Sequence, residues 1–206
     1  MPIVIYKQVS EDTVLAIWKI TESKEELFAF IGSDFYEENI RHENLHWLAS
    51  RAIIRGLFLD NNFEITKDSY NKPYLKIDNI DYHISITHSF QFAAVIVSKS
   101  KNVAIDFEKL DDRIHRVKHK FMRDDEVNFI NQNCETEMLT TIWSAKETLY
   151  KFDGKKELDF KLNLKIEAFD FSNRFEIVGL ITRNESINQF SIKVEEMEGY
   201  VLTYIV

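Results

Sequence analysis

Two carboxylates, two residues apart, interrupt an apolar run, Val103-Ala104-Ile105-Asp106-Phe107-Glu108. Its β-branched and aromatic residues predict a strand. Side chains of a strand alternate faces, so Asp106 and Glu108 point to one side while Val103, Ile105 and Phe107 take the other. Bare carboxylates on a half-buried strand are costly. The pair must therefore face water, meet cationic partners or hold a metal ion. A second set falls on a helical stretch, where Glu147 and Lys151 are four residues apart and Trp143 is one turn before Glu147. Alone, Glu147–Lys151 reads as an exposed ion pair worth a few tenths of a kcal/mol. His88 ends an apolar strand, where a single histidine is usually structural. Arg51 and Arg55 share one helix face, as do His42 and His46. The two histidines lack a third ligand and read as surface residues.

The elements that must position these groups follow from periodicity. Residues 3–8 and 13–20 predict strands. Ser23 and Glu26 form a capping box for a short helix running through Phe30. From 35 to 59 the apolar positions, Leu45, Leu48, Ala52 and Leu59 among them, recur at helical spacing. Asn71-Lys72-Pro73 is a turn before a strand at 74–77, and strands at 82–88, 92–97 and 103–108 follow. Residues 109–120 show no period, and 124–131 predict a short helix. Met138, Ile142, Ala145, Leu149 and Phe152 make an amphipathic helix over 137–152 that stops at Asp153-Gly154. Strands are expected at 161–169, 174–182, 189–196 and 200–205. The order predicts an α+β fold of two similar subdomains in tandem, 1–98 and 99–206, related by a pseudo-twofold. Each would pack a long helix on a small, mainly antiparallel sheet.

The 206 residues are 45% apolar, with 16 Phe, 8 Tyr, 5 Gly and 2 Pro, which describes an ordered globular chain able to bury a sizeable core. One cysteine, Cys134, excludes an internal disulfide framework and a Cys-based zinc site. Together with an N-terminal stretch unlike a signal peptide, this predicts a reducing, cytoplasmic setting. No apolar run has the length that spans a bilayer, so no membrane partner is expected. A net charge of −8 argues against a broad nucleic-acid surface.

Four segments in order carry a resemblance. Ala104-Ile105-Asp106-Phe107-Glu108 is similar to the G-I-D-x-E motif of the phosphopantetheinyl transferases, and the stretch from Trp143 to Lys151 resembles their W-x-x-K-E-x-x-x-K motif. The 38-residue step from Glu108 to Lys146 suits that family. Upstream, Ile86-Thr87-His88-Ser89 resembles its I-S-H-S segment and Asn71-Lys72-Pro73-Tyr74 its G-K-P segment. Asn71, Ala104 and Thr87 depart from the pattern, none at a charged position. The length and the two-subdomain layout resemble the larger, monomeric class typified by the surfactin-synthetase activator.

The resemblance implies a holo-acyl-carrier-protein synthase reaction. A serine of an apo acyl or peptidyl carrier protein attacks the β-phosphate of coenzyme A, the phosphopantetheine arm is transferred and 3′,5′-ADP leaves. A pyrophosphate asks for a hard divalent cation with oxygen ligands, Mg²⁺ with Mn²⁺ as a substitute, and Asp106, Glu108 and Glu147 supply carboxylates for it. Glu147 is implied as the general base, with Glu108 acting through a water as the alternative. Lys151, Lys72, Thr87 and His88 are implied coenzyme A contacts, and Arg51 and Arg55 are candidates for the 3′-phosphate. Lys146 is open between a salt bridge and a phosphate contact. The N-terminal half would then serve coenzyme A, and the C-terminal half the metal and the carrier. From Arg113 to Arg123 only positive charges and histidines (His115, Arg116, Lys118, His119, Lys120) occur among the ionisable residues. This predicts a basic rim for an acidic carrier helix, with Val117, Phe121 and Met122 adding apolar contact. A metal-dependent nucleotide phosphohydrolase and a non-catalytic module binding coenzyme A or carrier are the alternatives.

Overall fold

In a computed structural model, residues 3–32, 44–59, 61–155, 157–172 and 174–206 are described. The chain forms two compact units, Met1–Asp68 with Pro73–Val103, and Ser69–Lys72 with Ala104–Val206.

The first unit begins with a hairpin of β1 (Ile3–Ser10) and β2 (Thr13–Lys19), followed by α1 (Lys24–Ile31) and α2 (Leu45–Leu57). β3 (Phe63–Lys67), β4 (Pro73–Ile77), β5 (Ile80–Ser89) and β6 (Phe92–Ser98) complete an antiparallel sheet of order β1-β2-β6-β5-β4-β3. The predicted capping box starts α1. The Glu26 N–H donates to Ser23 Oγ at 3.2 Å and the Ser23 N–H to Glu26 Oε2 at 2.8 Å. α2 begins after Asn44, whose side chain accepts from the Trp47 N–H. The expected helical residues 35–43 lie outside the described residues. Leu48, Ala49, Ala52 and Ile53 of α2 share a buried core with Ala16, Trp18, Ala93 and Val95 of the sheet. The sequence reading overlooked β3, whose five residues alternate too briefly to stand out from the loop before them.

The second unit starts with β7 (Ala104–Lys109) and passes through the single turns α3 (Ile114–Val117) and α4 (Asp124–Val127) to the long α5 (Glu135–Asp153). β8 (Leu164–Ile166), β9 (Arg174–Arg183), β10 (Ser186–Met197) and β11 (Tyr200–Ile205) follow. They give a second antiparallel sheet, ordered β7-β11-β10-β9-β8. α5 covers β7 and β11, burying Ile142, Ala145 and Leu149 with Val194, Val201 and Ile205. Gly154 ends α5 at φ +69, a left-handed position that suits glycine. The strand expected over 161–169 contracts to three residues, and the helix over 124–131 to one turn. No helix among the described residues is long and apolar enough to cross a membrane.

Candidate active site

The acidic positions converge where β7 meets α5. In the register of β7 against β11, Asp106 lies opposite Thr203 and Glu108 opposite Val201, so both carboxylates project toward the helix. Asp106 is 3% exposed. Its Oδ1 accepts from Lys151 Nζ at 2.7 Å and its Oδ2 from Ser144 Oγ at 2.8 Å. Lys151 Nζ also donates to the Ile105 carbonyl at 3.2 Å. Glu108 Oε1 accepts from the Trp143 indole N–H at 3.0 Å, and that indole packs against Phe121 and Phe160.

Crowding shows in the carboxyl groups. Burial, reinforced by the Asp106 charge, pushes Glu108 up from 4.5 to about 7, while the Trp143 hydrogen bond and Lys151 oppose the rise. Burial and then Asp106 also raise Glu147, against the pull of Lys151. Three carboxylates thus share one lysine. Asp106 and Glu108 spend oxygens on protein donors, and among the described residues no three His, Cys, Asp or Glu side chains are arranged to hold a metal ion. The donor set nevertheless suits a hard divalent cation, with oxygen ligands and an excess of negative charge at the site.

Other residues singled out from the sequence fall elsewhere. Lys146 is fully buried, and its Nζ donates to Glu126 Oε2 at 2.8 Å and to the Phe121 and Phe160 carbonyls at 2.7 and 3.0 Å. That assigns it to the salt bridge of the two readings left open. Lys72 belongs to the second unit, where its Nζ donates to the Phe152 carbonyl at 2.9 Å. Asn71 before it has φ 69, a conformation that asparagine tolerates where the resembled segment has glycine.

In the first unit Thr87 is buried and His88 exposed, as neighbours on one strand should be. His46, read from the sequence as a surface residue, stacks on His88 with ring centroids 4.4 Å apart and its Nε2 2.5 Å from the Phe90 carbonyl oxygen. Its companion His42 lies outside the described residues. Arg51 is mostly buried, stacked on the Trp47 ring at 4.0 Å and donating to Ser50 Oγ at 2.9 Å. Arg55 instead donates to the Ile31, Leu59 and Asn61 carbonyls, so the two guanidinium groups serve different partners.

Along the basic segment Arg113 pairs with Asp111, Lys118 with Glu135 and Arg123 with Asp125, whereas Arg116, His119 and Lys120 are exposed. Phe121 and Met122 are core residues, 0% and 4% exposed, so only Val117 of the three expected apolar contacts reaches the surface. Sequence reasoning missed Ser144, Thr203 and Glu126. Ser144 stood inside a recognised motif, but the partners of the other two depend on tertiary pairing.

A family model described as the 4′-phosphopantetheinyl transferase superfamily matches residues 102–205. Comparison with curated proteins finds no match.

Proposed function

The chain belongs to the 4′-phosphopantetheinyl transferase superfamily, and on that premise we propose that it moves the phosphopantetheine arm of coenzyme A onto a serine of an apo acyl or peptidyl carrier protein. The observation that carries this reading is the cluster of Asp106, Glu108, Glu147 and Lys151 at the β7–α5 contact, inside the matched region. Asp106, Glu108 and Glu147 are the residues to hold Mg²⁺, or Mn²⁺ in its place. The cation, when bound, would neutralise charge on the pyrophosphate. Glu147 takes the serine proton; its raised affinity for a proton brings it nearer the working range of a general base. The serine oxygen forms its bond to the β-phosphorus, and the bond from that phosphorus to the bridging oxygen breaks with 3′,5′-ADP as leaving group. Lys151 and Lys72 supply positive charge to the pyrophosphate. Thr87, His88 and Arg51 are further coenzyme A contacts, whereas the carbonyl partners of Arg55 support a structural task for it.

The family model covers one unit, and the other adds a helix pair on a six-stranded sheet. That surplus supports the larger, monomeric class, built of two related subdomains. The exposed Arg116, His119 and Lys120 support docking of an acidic carrier helix on the segment after β7. Incubating the protein with coenzyme A and Mg²⁺, with and without an apo carrier, tests the reading. Transfer requires phosphopantetheine to appear on the carrier. Free phosphopantetheine made without carrier would indicate hydrolysis, and a thermal shift without chemistry would indicate a binding module.

A further inference from the structure

Beneath Asp106 runs a chain of three hydroxyls, all fully buried. Ser144 Oγ donates to Asp106 Oδ2 at 2.8 Å, Ser144 Oγ lies 2.9 Å from Thr203 Oγ1, and Thr203 Oγ1 lies 2.7 Å from Thr148 Oγ1. Thr203 sits opposite Asp106 across the β7–β11 ladder, while Ser144 and Thr148 are one turn apart on α5. Three elements therefore contribute to one line of hydrogen bonds.

Its polarity follows from proton counting. An ionised carboxylate only accepts, so the single Ser144 proton goes to Asp106. Ser144 must then accept from Thr203, whose spent proton leaves its oxygen to accept from Thr148 at 2.7 Å, the shorter of two contacts of the Thr148 hydroxyl, the other being the Thr203 carbonyl at 3.3 Å. Every donor points toward Asp106, and bonds in such a chain polarise one another. Hydroxyls on a helix ordinarily return to the preceding turn, as Thr140 does to the Thr136 carbonyl at 2.7 Å and Ser50 to the Trp47 carbonyl at 2.7 Å. Ser144 and Thr148 instead reach across to the strands. Alanine or valine would fill these buried positions without requiring any partner.

We infer that Ser144 and Thr203 are positioning residues for Asp106. They fix the plane of its carboxylate through Oδ2 and keep Oδ1 directed at Lys151 and the metal-holding position. The inference rests on the reading of Asp106 as a metal ligand. Partners behind a metal ligand commonly change metal affinity about 10–100-fold when removed. Ser144 touches Asp106 directly and Thr203 acts through Ser144, so the effects are graded.

The test is Mn²⁺ binding by the full chain with coenzyme A present, followed by electron paramagnetic resonance, alongside melting of the metal-free protein. Thr203→Val should weaken Mn²⁺ about tenfold and Ser144→Ala more, whereas Thr203→Ser, which keeps the hydroxyl, should bind like wild type. If Ser144→Ala does not fold, the Thr203→Val and Thr203→Ser pair decides alone. Equal Mn²⁺ affinity in wild type and Thr203→Val, with only the melting temperature lowered, would overturn the inference and leave the metal reading intact. A wild-type protein that binds no Mn²⁺ would remove the metal reading and this inference together.

Discussion

Glu108 stands where burial and a neighbouring carboxylate both oppose its charge. In the metal-free protein the folded state holds a proton up to about pH 7 that the unfolded chain releases near 4.5. The contribution of this group to stability is therefore complete below about pH 4.5 and lost as pH rises through about 7, and Glu147 is shifted in the same direction. Melting in chelator should show the folded state weakening across that window, with a flatter profile in Glu108→Gln. Identical profiles for the variant and wild type would contradict the shift. Trp143→Phe removes the indole donor on Glu108 while keeping a ring between Phe121 and Phe160. It should raise the Mg²⁺ concentration needed for half-maximal transfer several-fold with little change in KM for the carrier; an unchanged Mg²⁺ requirement would show that this hydrogen bond is incidental. Arg51→Ala should weaken coenzyme A and barely affect dephospho-coenzyme A, which lacks the 3′-phosphate. Equal losses on both would make Arg51 a support for Trp47 instead. The pairing of Asp106 with Glu108 was legible because strand alternation alone puts them on one side. The hydroxyls behind Asp106 were not, since Thr203 is nearly a hundred residues away and only the register of β11 brings it near.

At the scale of the element, α5 was read well because an apolar stripe from Met138 to Phe152 and a terminal glycine both mark it. Its other faces were harder to read. Lys146 is open in the sequence between a salt bridge and a phosphate contact, because its partner Glu126 comes from the short α4, twenty residues earlier in the chain. Glu126 also accepts from the backbone N–H groups of Arg123 and Ile166, so one buried pair ties α4, α5 and β8 together. Lys146→Met leaves that carboxylate without its cation and should cost about 3–5 kcal/mol, measured by denaturant unfolding. Adding Glu126→Leu should recover part of the loss, since apolar replacement of a whole buried pair is far cheaper than breaking it. A folded Lys146→Met protein of wild-type stability with a greatly raised KM for coenzyme A would instead place Lys146 on the substrate. The short β3 escapes the sequence reading and β8 is drawn too long over 161–169, because three to five residues carry too little alternation to separate a strand from a loop.

For the whole molecule, charge placement matters more than its sum. The chain carries a net charge of −8, yet Arg116, His119 and Lys120 form an exposed basic stretch shortly after β7. Rim charges act mainly on association and are screened by salt. Combining Arg116→Glu with Lys120→Glu should raise KM for the carrier several-fold at low salt and leave KM for coenzyme A unchanged; no change for the carrier would place its docking elsewhere. On the proposed function, the acidic cluster of the second unit transfers phosphopantetheine to a carrier with a divalent cation. Its most direct test is the intact mass of an apo carrier after incubation with coenzyme A and either wild type or Asp106→Ala, in Mg²⁺ and in chelator, with 3′,5′-ADP quantified in parallel. Wild type in Mg²⁺ alone should give one phosphopantetheine per carrier and one 3′,5′-ADP released for each. Unmodified carrier with the wild-type protein, or modification by Asp106→Ala at a near wild-type rate, would contradict it.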